Sequence, residues 1–351
     1  SLIFFPLAEN ILCCGLAGIL TVKKTDGRGD PPECESPAVP FERIRKRHIR
    51  EVLSGAIPSG RYLDGNGALA GMEQAILDLK QDAVFECLFF DSDLAKRMQG
   101  LSKEINAFLA EEESVIEVHA DRFATGDLEV INSRLVRMKD IGWALEKDIL
   151  DNIERICALA GAADPREVSP AAFGKYRKLN FLLNCLDRLE VRGRDSAGIQ
   201  ICFALGGPDE LNDVLGRLRE KGLHGDFTQR AIAGDLVNRS IRVTDRLPHL
   251  SFTYKTASII GELGRNIREL RKTVAEDAVF REFATSRSAL ETALAHTRWA
   301  SVGSITEDNC HPVNNYTLDG NIKHYPAYGE GAWTISAALN GDVDNYPDLR
   351  R

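Results

Sequence analysis

Ser169-Pro170 through Leu189, then Arg192-Gly193-Arg194-Asp195-Ser196-Ala197-Gly198, then Ile199-Gln200-Ile201-Cys202-Phe203-Ala204-Leu205, is the stretch on which the fold turns. Serine followed by proline is a helix-start signal, because proline suits the first helical position, and the apolar spacing carries that helix to about Leu189. The charged, glycine-bracketed turn 192–198 ends it, and IQICFAL reads as a buried strand. An amphipathic helix follows over 208–222 (PDELNDVLGRLREKG). Downstream, SIRVTDRL and SFTYKTAS within 240–256 are strand-like, 258–273 and 276–290 read as helical, and strand and loop signals return over 293–313 and 332–346. The alternation predicts an α+β layered domain rather than a parallel doubly wound sheet.

Working upstream, residues 10–22 (NILCCGLAGILTV) are apolar and small and read as a strand with a glycine-permissive turn. Residues 23–67 are rich in Gly, Pro and charge and read as loop or linker. From Ala68 the pattern turns helical, with Leu69, Met72, Ile76 and Leu79 at spacings of three to four. Residues 84–111 continue it. Over 128–160, Leu128, Ile131, Leu135, Met138, Ile141, Leu145, Ile149, Ile153 and Ile156 mark one long face, which Asp164-Pro165 stops. No fixed-period repeat is present, so a solenoid is disfavoured. The block reads as an inserted helical bundle, suited to regulation or to forming a homo-oligomer.

The 351 residues are enough for two average domains or one large one. A formal net charge of -8 argues against a nucleic-acid partner, since phosphate binding needs a basic face. The run Arg43 to Arg50 (RIRKRHIR), amid acidic residues, reads as a solvated face. No apolar stretch is long enough to span a bilayer, so no membrane partner is expected. Residues 1–20 lack a basic start and are interrupted by Pro6, Glu9 and Asn10, which suits a short leader before a buried strand better than a signal peptide. None of the eight cysteines has C-x-x-C or zinc-finger spacing. The expectation is a cytoplasmic protein with reduced thiols, no metal and no cofactor.

Three short segments carry candidate chemistry. Arg298-Trp299 sets a planar cation beside a large ring, and arginine can grip a carboxylate with two parallel hydrogen bonds. Such a pair also occurs as a surface ion pair beside a core ring. Asn340-Gly341 is a common turn, and it is equally a pair of donors, side-chain amide and backbone N–H, able to hold an oxyanion. Cys14-Gly15 is a small buried residue before a flexible one, or a nucleophile once a base takes the thiol proton. A free amine on the same residue would be such a base.

In chain order, Cys14-Gly15-Leu16-Ala17-Gly18, Phe181 to Glu190 with the RGRDSAG turn, His296-Thr297-Arg298-Trp299-Ala300-Ser301, Asn309-Cys310-His311-Pro312 and Leu339-Asn340-Gly341 resemble the glutaminase domain of class II glutamine amidotransferases. The resemblance is nearest to the domain found in glucosamine-6-phosphate synthases. It implies a four-layer αββα sandwich of the N-terminal-nucleophile hydrolase kind, carrying the large helical insertion. It implies that Cys14 attacks the side-chain amide of glutamine with its own α-amino group as base, and that Asn340 and Gly341 hold the oxyanion. Arg298 would bind the substrate carboxylate, with Trp299 and Ser301 around it, and Arg192 with Asp195 would organise the pocket wall. No cofactor is implied. Ammonia would pass to a synthase or isomerase domain or chain that carries a sugar-phosphate acceptor.

The domain expectation is a cleaved leader over 1–13, a glutaminase domain over 14–22 and 178–351, a linker over 23–67 and a helical insertion over 68–177. Several features depart from the family. Thirteen residues precede Cys14, Val302 stands where relatives carry histidine, and Ser301 stands where they carry threonine. The sequence also stops before the segment that supplies a carboxylate to the substrate amine. A different class of reading is a catalytically silent amidotransferase-like module, with the helical insertion making protein contacts.

Overall fold

The computed structural model describes residues 14–20, 36–232, 237–243, 249–257, 262–287, 289–300, 303–314, 317–319, 322–324, 327–328, 331–332 and 335–340. Two compact units emerge, one of residues 26–155 with 164–166, the other of residues 1–25, 156–163 and 167–351. The expected leader 1–13, and Ser301, Val302 and Gly341, lie outside the described residues.

The first unit is helical. It contains α1 (Ala38–Ile44), α2 (Ile49–Leu53), a 3-10 segment Ser59–Asp64, α3 (Gly65–Leu79), α4 (Asp82–Phe90), α5 (Ser92–His119) and α6 (Thr125–Trp143). Residues 36–67 are therefore not a linker, which corrects the expectation. Phe41, Ile44, Ile49, Tyr62 and Leu63 are all buried, but they are too sparse among charges to show a period. The loop before α3 is held by Arg134, whose guanidinium donates to the carbonyls of Tyr62 (2.8 Å) and Ser59 (3.2 Å). The helix expected over 84–111 breaks at Asp91, whose carboxylate caps α5 by accepting from the amides of Asp93 and Leu94.

From Thr125 to Ala160 the chain stays helical, through α6, a π-helical stretch Ala144–Leu150 and α7 (Asp151–Ala160), within which the division between the units falls. The π stretch follows from the sequence. Ile141, Leu145, Ile149 and Ile153 are spaced by three successive fours, and each such step carries an α-helical stripe about 40° around the axis. Widening the turn keeps all four buried.

The second unit is an antiparallel sheet with helices. Strands β1 (Gly15–Leu20), β2 (Ser196–Ala204), β3 (Ser240–Val243), β4 (His249–Ala257) and β5 (Ala289–Arg298) form one sheet in the order β1-β5-β2-β4-β3. Helices α8 (Pro170–Leu189), α9 (Pro208–Glu220), α10 (His224–Ile232), α11 (Arg265–Ala275) and α12 (Ala278–Ala284) accompany it. The observed class is thus mixed helix and strand with an antiparallel sheet. Helix α8 packs on β1 and β5 and so belongs with the sheet from its first turn, which moves the expected boundary at 178 back. Residues 289–290, expected at the end of a helix, instead begin β5.

One sheet face is apolar. Ala197, Ile199, Ile201 and Phe203 of β2 align with Leu250, Phe252 and Tyr254 of β4; Phe280 and Phe283 of α12 pack edge-to-face on Phe252 and Tyr254 at 5.1–6.0 Å, and Phe280 lies tilted against Phe203 at 5.6 Å. Asp277 fixes this layer. It takes a two-pronged bond from Arg230 (2.9 and 2.6 Å), another from the Tyr254 hydroxyl (2.8 Å), and caps α12 at the Phe280 amide (3.0 Å). The other face is polar, with Ser196, Gln200, Ser251, Thr253, Lys255 and His296, yet these side chains are buried as well.

Candidate active site

Three glycines let the candidate segments meet at one end of β5. Gly15 lies opposite Thr297, and its amide donates to Thr297 Oγ1 at 3.1 Å. A Cβ there would come within 2.5 Å of Leu189 and 2.6 Å of Thr297. One residue earlier, Cys14 reaches the turn that leaves β5. Its Sγ accepts from the Trp299 amide at 3.4 Å and lies 3.8 Å from the Trp299 carbonyl. Cys14 is partly exposed.

On the other side of β5, Gly193 passes so close to the main chain of Thr297 and Arg298 that a Cβ would sit 2.8–2.9 Å from it. The turn it belongs to is pinned from several directions. Buried Glu190 accepts from the amides of Gly264 (2.6 Å) and Asn266 (3.1 Å), and Asn266 donates to the Arg194 carbonyl (2.7 Å). Burial holds the Glu190 carboxyl above its ordinary range. The Asp195 amide bonds to the Arg298 carbonyl at 3.1 Å, and its carboxylate accepts from the Ala300 amide at 2.6 Å. Asp195 thereby clasps the Arg298-Trp299-Ala300 turn against which Cys14 rests, a structural role that suits the expected pocket wall.

Arg298 is half-buried and donates to the Ser304 carbonyl at 3.0 Å, an oxygen that Asn309 Nδ2 also reaches at 3.1 Å. Trp299 contributes its main chain to Cys14, while its side chain is partly exposed. Arg192 is exposed, and among the described residues it has no hydrogen-bond or ion-pair partner; the wall contacts come from Gly193, Arg194 and Asp195. Asn340 is exposed at the end of a segment that lies under the polar face of the sheet.

That segment is held by two histidines to which the sequence assigned no role. His296 Nε2 is 2.9 Å from the Leu339 carbonyl, and the Leu339 amide donates to His311 Nδ1 at 3.3 Å. The two imidazoles are 4.5 Å apart. Burial, with His311 and Arg298 nearby, pushes His296 down to about 3, and burial with Arg298 and Lys255 lowers His311, so both rings are neutral at pH 7. Gly198 makes room for His311, since a Cβ on it would lie 2.0 Å from the His311 carbonyl.

Chemically, the site offers a partly exposed cysteine, an arginine one residue before the main chain that this cysteine touches, and a segment ending at Asn340 that is tied to the same strand through Leu339. Cys87, Cys185 and Cys310 are free thiols. Among the described residues no cluster of three or more His, Cys, Asp or Glu is arranged to hold a metal, and no helix is long and apolar enough to cross a membrane. No known family model, curated protein or solved structure matches the chain.

Proposed function

We propose that the sheet-bearing unit is the glutaminase half of a class II glutamine amidotransferase, acting in the cytoplasm and delivering ammonia to a sugar-phosphate acceptor on another domain or chain. The observation that carries this reading is the convergence on the end of β5. Cys14 Sγ touches the Trp299 main chain, Arg298 is the last residue of β5 just before it, and the 335–340 segment is tied to His296, two positions before Arg298. These segments are spread over more than three hundred residues and follow the chain order that the resemblance to a glutaminase expects.

In the proposed reaction the Cys14 sulfur attacks the side-chain amide carbon of glutamine, and its proton passes to the Cys14 α-amine. The Asn340 amide and the Gly341 N–H hold the oxyanion. Ammonia leaves with that proton, giving a thioester, and water then releases glutamate and restores the thiol. Arg298 grips the α-carboxylate, with Trp299 and Ser301 as walls and Arg192 at the rim. The sheet would be one of two in an αββα sandwich. Burial of Ser196, Gln200, Thr253, Lys255 and His296 on the face away from α8, α11 and α12 supports that, because a polar sheet face is buried only when another layer covers it.

In the sequence as given the Cys14 nitrogen is a peptide nitrogen, which favours a second reading, a catalytically silent module, for as long as residues 1–13 stay attached. One experiment separates the two. The full chain and a chain beginning at Cys14 are incubated with a glutamine analogue bearing an electrophilic ketone, and intact mass and ammonia release from glutamine are measured. The reading expects one adduct on Cys14 in the processed protein, matched glutamate and ammonia from glutamine, and neither in Cys14→Ala. A protein beginning at Cys14 that takes no adduct and releases no ammonia overturns it.

A further inference from the structure

We infer that His296 and His311 form a two-sided clamp on the Leu339 peptide groups that sets the orientation of the next residue, Asn340; they are positioning residues for the proposed oxyanion site. The inference rests on the glutaminase reading for its function but not for its geometry. Leu339 directly precedes Asn340, and both its main-chain polar groups go to imidazoles from distant parts of the chain. One imidazole comes from a central strand, the other from the 309–312 segment seated against Gly198.

The atoms involved dictate the proton positions. A carbonyl oxygen only accepts, so His296 must carry hydrogen on Nε2; an amide only donates, so His311 must leave Nδ1 bare and carry its hydrogen on Nε2. His296 Nδ1 is then bare too, and it is buried with no described partner. The nitrogens that meet Leu339 are thus committed to main-chain bonds. The effect of the clamp reaches the reaction through the next residue, whose side-chain amide and following N–H must point at the developing oxyanion within a few tenths of an ångström.

The two bonds can be broken and rebuilt separately. Asparagine at 311 brings Oδ1 to the place of Nδ1 and still accepts from the Leu339 amide, whereas alanine does not. Glutamine at 296 brings an Nε2 donor to the Leu339 carbonyl, whereas alanine does not. In the full chain, amide exchange of residues 335–340 is measured by mass spectrometry for the wild type, H311A, H311N, H296A and H296Q. In the protein beginning at Cys14, kcat and KM for glutamine are measured for the same set.

The expected result is protection of the Leu339 amide in wild type and H311N and its loss in H311A. For H311A and H296A, kcat should fall on the order of 100-fold with KM within about 3-fold, as for an ångström-scale misplacement, and H311N and H296Q should recover most of it. Unchanged Leu339 exchange in H311A overturns the clamp. Altered exchange with unchanged kcat, or equal kcat loss in the Ala and amide variants, overturns the positioning role. A wild type that hydrolyses no glutamine counts against the glutaminase reading alone, since the exchange experiment still decides the clamp.

Discussion

Gly198→Ala tests how tightly the site is built. The added Cβ would lie 2.0 Å from the His311 carbonyl, 3.1 Å from its carbon and 3.2 Å from Cys310 Sγ. Real Cβ contacts essentially never fall below 3.0 Å, so either β2 or the 310–311 main chain must move by at least about 1 Å. Strand β2 is fixed on both sides, by β4 and β5, so the 310–311 segment is the part that yields. Its movement lengthens the 3.3 Å bond from the Leu339 amide to His311 beyond any useful distance. Overpacking of this kind costs about 1–3 kcal/mol, and loss of the exposed Leu339–His311 hydrogen bond adds no more than about 1 kcal/mol. The sheet-bearing unit should therefore lose about 1–4 kcal/mol. Because the chain has two units, a single unfolding free energy is ill-defined, and native-state amide exchange of β2 and β5 peptides is the suitable assay. Protection within about 0.5 kcal/mol of wild type, with the Leu339 amide still protected, would refute the packing argument.

Two further predictions address the helical unit and the substrate grip. Glu112 is buried, accepts from the Ile49 amide at 2.8 Å, and burial raises its carboxyl to about 7. Below pH 4.5 both folded and unfolded chains hold its proton; above that the unfolded chain releases it first, so this group's contribution falls as pH rises to about 7 and then levels off. The gap corresponds to about 3 kcal/mol, so Glu112→Gln, which keeps the acceptor, should gain up to that much relative to wild type between pH 5 and pH 8. Pulse proteolysis in urea, scored on fragments of residues 36–155, measures it, and a pH-independent difference would refute it. Arg298→Lys replaces with a single ammonium a fork that serves the Ser304 carbonyl and, in the proposed function, the substrate carboxylate. KM for glutamine should rise about 10–100-fold with kcat within about 3-fold, and an unchanged KM would show that Arg298 does not touch substrate.

The parts of this molecule legible in its sequence are those whose signal is local. The stripe Leu69, Met72, Ile76, Leu79 is buried because four residues within eleven positions already define a face. The stretch from Ser169 to Leu205 reads through as helix, turn and strand, because Ser169 caps the first and β-branched residues populate the last. Residues 36–67 were misread for the opposite reason. Phe41, Ile44, Ile49, Tyr62 and Leu63 are buried by α3, α5 and α6, and sparse apolar residues among arginines carry no period of their own. The break at Asp91 turned on one side-chain cap, and the π stretch on a spacing that shows its meaning only once the helix is known to continue.

The site divides the same way. Cys14, Arg298 and Asn340 are visible because the chemistry they offer belongs to their own side chains. His296 and His311 are invisible as a pair because what they recognise is the main chain of Leu339, 43 and 28 residues away, and a peptide group looks the same under any side chain. The glycines occupy the middle ground. Gly15, Gly193 and Gly198 stand out in the sequence as turn or strand-weakening residues, yet none of the three has a backbone angle in the left-handed region. Each is there for the space a Cβ would fill: Gly15 admits Leu189 and Thr297, Gly193 admits the main chain at the end of β5, and Gly198 admits His311. Close approach of three separate segments to one strand is what concentrates the candidate chemistry at the end of β5, so a small side chain at any of these glycines should damage the site more than loss of the exposed Arg192 side chain would.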